Sequence, residues 1–114
     1  MLPFQNRLKK EKDFQRIFFY GRTINSEVLS VRFLENNTSK TKIGFIVSKK
    51  VSLKATDRNR IKRILREEIR KKILQIKKGI DAVIIVKKKM VELNSDEMRK
   101  SLLKILEKTT ILIK

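Results

Sequence analysis

At 114 residues, 40% of them hydrophobic and spread along the whole chain, the sequence fits one domain over 1–114; two independent cores would each have too little apolar surface to offset chain entropy. The 30 Lys and Arg against 12 Asp and Glu leave a formal charge of +18, a self-repulsion that nucleic acid relieves. The chain shows neither an apolar run of roughly 18 residues to span a bilayer nor a signal-peptide pattern, so the expectation is a cytoplasmic protein with no membrane partner. Without Cys or His, and with carboxylates scattered singly among cations, disulfides, zinc fingers, thiol nucleophiles and imidazole bases are excluded, and a nuclease that cages its own magnesium is disfavoured.

From about Lys10 to Tyr20, Phe14, Ile17 and Phe18 fall at helical spacing and Gly21 stands where a helix stop is expected, which predicts a short amphipathic helix. Residues Glu27 to Leu34 alternate, with Leu29, Val31 and Phe33 on one face and Val28, Ser30, Arg32 and Leu34 on the other, as in a strand with one face on a core. The turn formers Glu35 to Lys40 lead to a second apolar run, Ile43 to Val47, closed by Ser48, Lys49 and Lys50; an antiparallel hairpin is the economical connection. From Asp57 or Arg58 to about Lys77, a stripe of Ile61, Ile64, Leu65, Ile69 and Ile73 predicts a long helix that Gly79 ends. The β-branched run Ala82 to Val86 reads as a central strand buried on both faces. Asn94 or Ser95 caps a last helix, Asn94 with Glu97 resembling a capping box, and Met98, Leu102, Ile105 and Leu106 form its buried stripe.

Opposite the apolar stripe of the long helix, Asn59, Lys62, Arg63, Arg66 and Arg70 cover a cationic arc. Between Lys54 and Lys72 there are nine Lys or Arg and only three acids, Asp57, Glu67 and Glu68. A helix that needs only solubility interleaves opposite charges at i,i+4, whereas a ridge of planar guanidinium forks suits phosphate oxygens. The pattern points to an RNA- or DNA-binding face, with a plain solvated helix as the alternative.

Arg58-Asn59-Arg60, followed by Ile61-Lys62-Arg63 and Arg66-Glu67, reads RNRxKRxxRE and resembles the signature of the bacterial ribonuclease P protein family. Arg7-Leu8-Lys9-Lys10, Asp13 to Phe18, Gly21, the run Gly44 to Val51 and Ala55 extend the resemblance, in the family's order, over nearly the whole chain. The resemblance implies an α/β (α+β) fold: a two-layer α/β sandwich with a four-stranded mixed sheet, like the second domain of a small-subunit ribosomal protein. Its arginine-rich helix would sit in a left-handed βαβ crossover, against the usual right-handed rule. It also implies a non-catalytic subunit, which assists a catalytic RNA in removing the 5′ leader from precursor tRNA and lowers the magnesium requirement. The implied partners are ribonuclease P RNA and precursor tRNA, with no protein partner required; magnesium is held mainly by RNA, and the protein itself has no cofactor, catalytic residue or metal site.

Two RNA surfaces follow from the resemblance. Arg58, Asn59, Arg60, Lys62, Arg63, Arg66 and Arg70 would lie against the catalytic RNA. A cleft between the sheet and the first helix would take the single-stranded leader, lined by Phe14, Phe18, the strand side chains around Val31 to Phe33, and Ser48, Lys49 and Lys50. Aromatic faces stack on unpaired bases of any sequence, although a Phe at helical spacing serves equally as core. Arg32 stands where many relatives carry an aromatic residue, exchanging stacking for a phosphate contact or a guanidinium stack. Thr56 and Asp57 are more polar than the family's usual residues, and Asp57 is a candidate helix cap. The rival functions are a ribosomal or regulatory RNA-binding protein of similar fold and a sequence-specific DNA-binding module; strands between the helices and the lack of a helix-turn-helix argue against the latter.

Overall fold

The computed structural model describes residues 7, 8 and 10–109. Its elements are α1 (Glu11–Tyr20), β1 (Arg22–Asn25), β2 (Leu29–Glu35), β3 (Lys42–Ile46), α2 (Ala55–Lys72), β4 (Ile80–Val86) and α3 (Ser95–Lys108), with 3-10 turns at Ile73–Gln75 and Lys88–Glu92. The sheet is mixed, in the order β1-β2-β4-β3: β2 is antiparallel to β1 and β4, and β3 is parallel to β4. The four-stranded mixed sheet and the connection of its parallel pair through α2 are as the resemblance implies, and the three α-helices among the described residues are those that periodicity predicts.

Strand β4 accounts for this order. Its alternate residues Ile80, Ala82, Ile84 and Val86 enter a large core with Ile61, Ile64, Leu65 and Ile69 of α2 and Met98, Leu102, Ile105 and Leu106 of α3. Val83 enters a smaller core on the opposite face, with Ile17 of α1 and Leu8. A strand apolar on both faces is most completely buried with a neighbour on each edge, so β2 and β3 both pair with β4 and not with each other. The expected hairpin between β2 and β3 therefore does not form. Their connection crosses the start of β4, where the Asn36 N–H donates to the Gly79 carbonyl at 2.8 Å. Gly79 has φ +80°, and a Cβ there would come within 2.5 Å of the Thr38 carbonyl oxygen, so only glycine suits this crossing. The hairpin that does form is β1–β2, closed by Ser26, whose hydroxyl accepts the Leu29 N–H at 3.1 Å. Arg22-Thr23-Ile24-Asn25 contains a single apolar residue, and so has no period by which to recognise a strand.

The helix ends follow from local chemistry. The capping box of α3 is formed: Asn94 accepts the Glu97 N–H at 2.9 Å and Glu97 accepts the Asn94 N–H at 3.0 Å. Asp57 is not the cap of α2. The helix starts earlier, at Ala55 after Lys54, and the Asp57 carboxylate accepts from the Ser52 hydroxyl at 2.9 Å, inside the first turn where a negative charge suits the helix dipole. At its other end α2 stops at Lys72, short of Lys77, and tightens into the 3-10 turn. Gly21 caps the end of α1 with extended backbone, and the position takes glycine for want of room: a Cβ would lie 2.5 Å from the Ile17 carbonyl oxygen and 3.0 Å from that of Phe33.

Candidate nucleic-acid interface

The face of the sheet beneath α1 consists of three cross-strand rows: Leu34–Asp81–Lys42, Arg32–Val83–Gly44 and Ser30–Ile85–Ile46. Helix α1 crosses the middle row. Ile17 buries beside Val83, and the Phe14 ring lies so close to Gly44 that a Cβ there would come within 3.0 Å of it. Arg16 reaches the first row, pairing with the buried Asp81 at 2.9 Å, and Asp81 also accepts from Asn36 at 2.8 Å. On a helix, Arg16 and Phe18 lie about 100° to either side of Ile17. With Arg16 drawn to Asp81, Phe18 is turned toward the third row, where Ile85 and Ile46 stay half-buried and Phe18 itself is 43% exposed.

The result is a trough between α1 and the sheet with an apolar floor and an aromatic wall. Because β3 and β4 are parallel, Ser48-Lys49-Lys50 and Lys87-Lys88-Lys89 leave the sheet at the same end, beyond this third row. Lys49, Lys50, Lys88 and Lys89 are exposed. The lysines after β4 were not singled out from the sequence; a run of three cations closing a strand was the available signal.

Two of the strand residues expected to line the trough point elsewhere. Val31 and Phe33 belong to the large core on the other face, since alternate residues of a strand face opposite ways, and only Arg32 of the three faces α1. Its guanidinium is engaged: Nε donates to the Ile17 carbonyl at 2.9 Å, Nη1 to the Thr23 hydroxyl at 2.6 Å and Nη2 to the Phe18 carbonyl. Arg32 thus supplies a donor to the Phe18 carbonyl and a second one to the Ile17 carbonyl, which already accepts the Gly21 N–H at 2.8 Å, and so ties the end of α1 to β2. Phe14 is half-buried in the smaller core.

On α2 the cationic ridge divides into free and anchored members. Asn59, Arg60, Arg63 and Arg70 are exposed, although Arg60 also donates to the Ser95 hydroxyl at 3.1 Å. Arg58 donates to the Ser52 carbonyl at 2.8 Å, Arg66 lies 5.9 Å over the Phe45 ring, and Lys62 is half-buried. Glu68 turns inward and is buried, so Glu67 is the exposed acid among these cations. A cavity of about 210 Å³, lined by Arg7, Leu8, Phe14, Ile43, Gly44, Phe45 and Arg66, links the ridge to the α1 side around the β3 edge. Phe45 shares the strand face of the core residues Ile43 and Val47 and packs against the large core, so it carried no separate signal. Among the described residues no group of three His, Cys, Asp or Glu is placed to hold a metal ion, and no helix is long and apolar enough to cross a membrane.

The family model described as Ribonuclease P matches residues 2–110. The chain belongs to the ribonuclease P protein family. A Ribonuclease P protein component from a Pseudanabaena species is 40% identical over 113 residues, covering 98% of this chain and 97% of that protein. One from Dehalococcoides mccartyi is 38% identical over 109 residues, covering 96% and 88%. Among solved structures, the Staphylococcus aureus RNase P protein superposes with a TM-score of 0.88 at 28% identity, over 94% of this chain and 97% of that one. The RNase P protein from Thermotoga maritima gives 0.81 at 34% identity, over 90% and 96%. Family membership makes the chain a protein subunit of ribonuclease P, the endoribonuclease that acts on tRNA precursors.

Proposed function

We propose that this subunit performs no chemistry itself and works through two RNA surfaces on opposite sides of one sheet. The exposed cations of α2, with Asn59, lie against the catalytic RNA, while the trough beneath α1 holds the single-stranded 5′ leader of precursor tRNA. The observation that carries the reading is the third row of the sheet, in which Ile85 and Ile46 stay half-buried beside buried Ser30, next to the 43% exposed Phe18 and bordered by the lysines that follow two parallel strands. Apolar floor, aromatic wall and cationic rim are what an unpaired strand of any sequence requires: a base stacks while its phosphate is neutralised.

The excess positive charge also takes over part of the screening that magnesium otherwise supplies between RNA strands, so the protein lowers the magnesium requirement of the RNA. Magnesium in the holoenzyme is held mainly by RNA. A cytoplasmic location accompanies this role.

Single-turnover cleavage of precursor tRNA across a magnesium series tests the reading, for RNA alone, protein alone and both together, with long and one-nucleotide leaders. The protein should reduce the magnesium needed, and its benefit should shrink with the short leader. Cleavage by RNA-depleted protein, abolished by replacing one of its own carboxylates, would overturn it.

A further inference from the structure

The last turn of α1 carries two large aromatic side chains with no place in either core. Phe19 is 80% exposed and Tyr20 is 75% exposed, their ring centroids 6.4 Å apart and the planes inclined by 48°. Neighbouring positions on a helix are separated by about 100°, so Phe18 faces the trough, Phe19 the outside of the helix and Tyr20 the far flank. The three rings form a stepped band that runs from the trough over the end of α1.

Cations accompany this band. Arg16 precedes both Phe19 and Tyr20 by one turn, exposed Lys12 lies on the Phe19 side two turns back, and exposed Arg22 follows the helix, its guanidinium 5.7 Å over the Phe33 ring. The acids of α1, Glu11 and Asp13, are confined to its first turn, at the opposite end from the aromatic pair. Exposed aromatic faces set among cations, on a chain of formal charge +18, match a base and its phosphate better than an apolar protein surface.

Resting on the reading that the trough holds a single RNA strand, we infer that Phe19 and Tyr20 are a second stacking platform, which takes unpaired bases of the same strand where it leaves the trough and passes over the end of α1. Strands long enough to cover both places bind more tightly than strands that fill the trough alone, without any requirement for base sequence.

The chain supplies its own probe, because Tyr20 is the single tyrosine and there is no tryptophan. Tyrosine emission of the full chain is titrated with oligouridylate of about four and about twelve nucleotides and with inorganic polyphosphate, and affinities are read from anisotropy of labelled RNA. The longer RNA should quench Tyr20, while polyphosphate, which has charge and no bases, should leave it bright. Phe19→Ala combined with Tyr20→Ser should weaken the longer RNA about tenfold and leave the shorter one unchanged. Both side chains are exposed, so circular dichroism and melting should not move.

Undiminished Tyr20 emission at saturating long RNA, or an equal affinity loss for both lengths, overturns the platform. Emission that changes with protein concentration in the absence of RNA overturns it too, and assigns the pair to self-association. Phe18→Ala separates this inference from the one beneath it. If Phe18→Ala weakens the short RNA while Tyr20 stays bright, only the platform falls; if Phe18→Ala has no effect, the trough reading falls.

Discussion

The two faces of the sheet are finished differently. Toward α2 and α3, every alternate residue of β4 from Ile80 to Val86 is buried, along with Leu29, Val31 and Phe33 of β2, and two helices close over them. Toward α1, a single ten-residue helix covers the middle row, fastened by one ion pair and by Arg32, and leaves Ile85 and Ile46 half-buried. The first face contributes most of the apolar burial that holds the fold; the second gives up some burial and keeps a surface open. On the closed side the free cations lie on the outside of α2, where they take no part in the core. Stability and recognition can therefore be perturbed separately.

The largest expected effect is on the closed face. Leu65→Ala removes a fully buried side chain between α2 and the sheet and should cost about 2–5 kcal/mol in urea unfolding, since its neighbours collapse only partly into the space. A loss below about 1 kcal/mol would mean that this core is less tightly filled than its burial indicates.

Next comes the fastening of α1. Asp81→Ala leaves Arg16 and Asn36 without their buried acceptor and should cost about 1–3 kcal/mol, discounted because Arg16 is partly exposed and can rehydrate. Hydrogen exchange should accelerate in α1 while α2 and α3 remain protected. Uniform acceleration across all three helices would show that the two faces are not separable.

Ile85→Ala sharpens the contrast within one strand. At a half-buried position it should destabilise by about 1 kcal/mol, less than Leu65→Ala, yet weaken binding of precursor tRNA with a long leader more than binding of mature tRNA. Equal weakening of both would remove the trough from leader recognition.

The smallest effect on stability belongs to the ridge. Arg63→Ala with Arg70→Ala should change stability by no more than about 0.5 kcal/mol and reduce the slope of log K against log salt for the catalytic RNA by about one for each phosphate that is no longer neutralised. An unchanged slope with an intact fold would take this face out of the interface. Arg66→Ala is a less clean probe, because its guanidinium also packs over Phe45.

What the sequence determined by itself was whatever is written in local period and charge. The stripes of α2 and α3, the capping box at Asn94 and Glu97, the two-sided burial of β4 and the cation excess of α2 depend on residues near one another in the chain, and all appear as expected. The arginine motif and its neighbours likewise carried the family, which the match over residues 2–110 establishes. What only the tertiary structure decided depends on residues far apart in sequence. The β2–β3 hairpin, plausible from its turn residues, lost to β4, which arrives some forty residues later and is most completely buried between them. β1 had too few apolar residues to show a period and became a strand only because β2 offered an edge. Val31 and Phe33 went to the core rather than the trough because the pleat of β2 sends them to the α2 side, while Arg32, legible as a free cation, was bound by carbonyls at the end of a helix fourteen and fifteen residues away. Local periodicity shows which face of an element is apolar; which other element covers that face, and how completely, is settled by competition for burial across the whole chain.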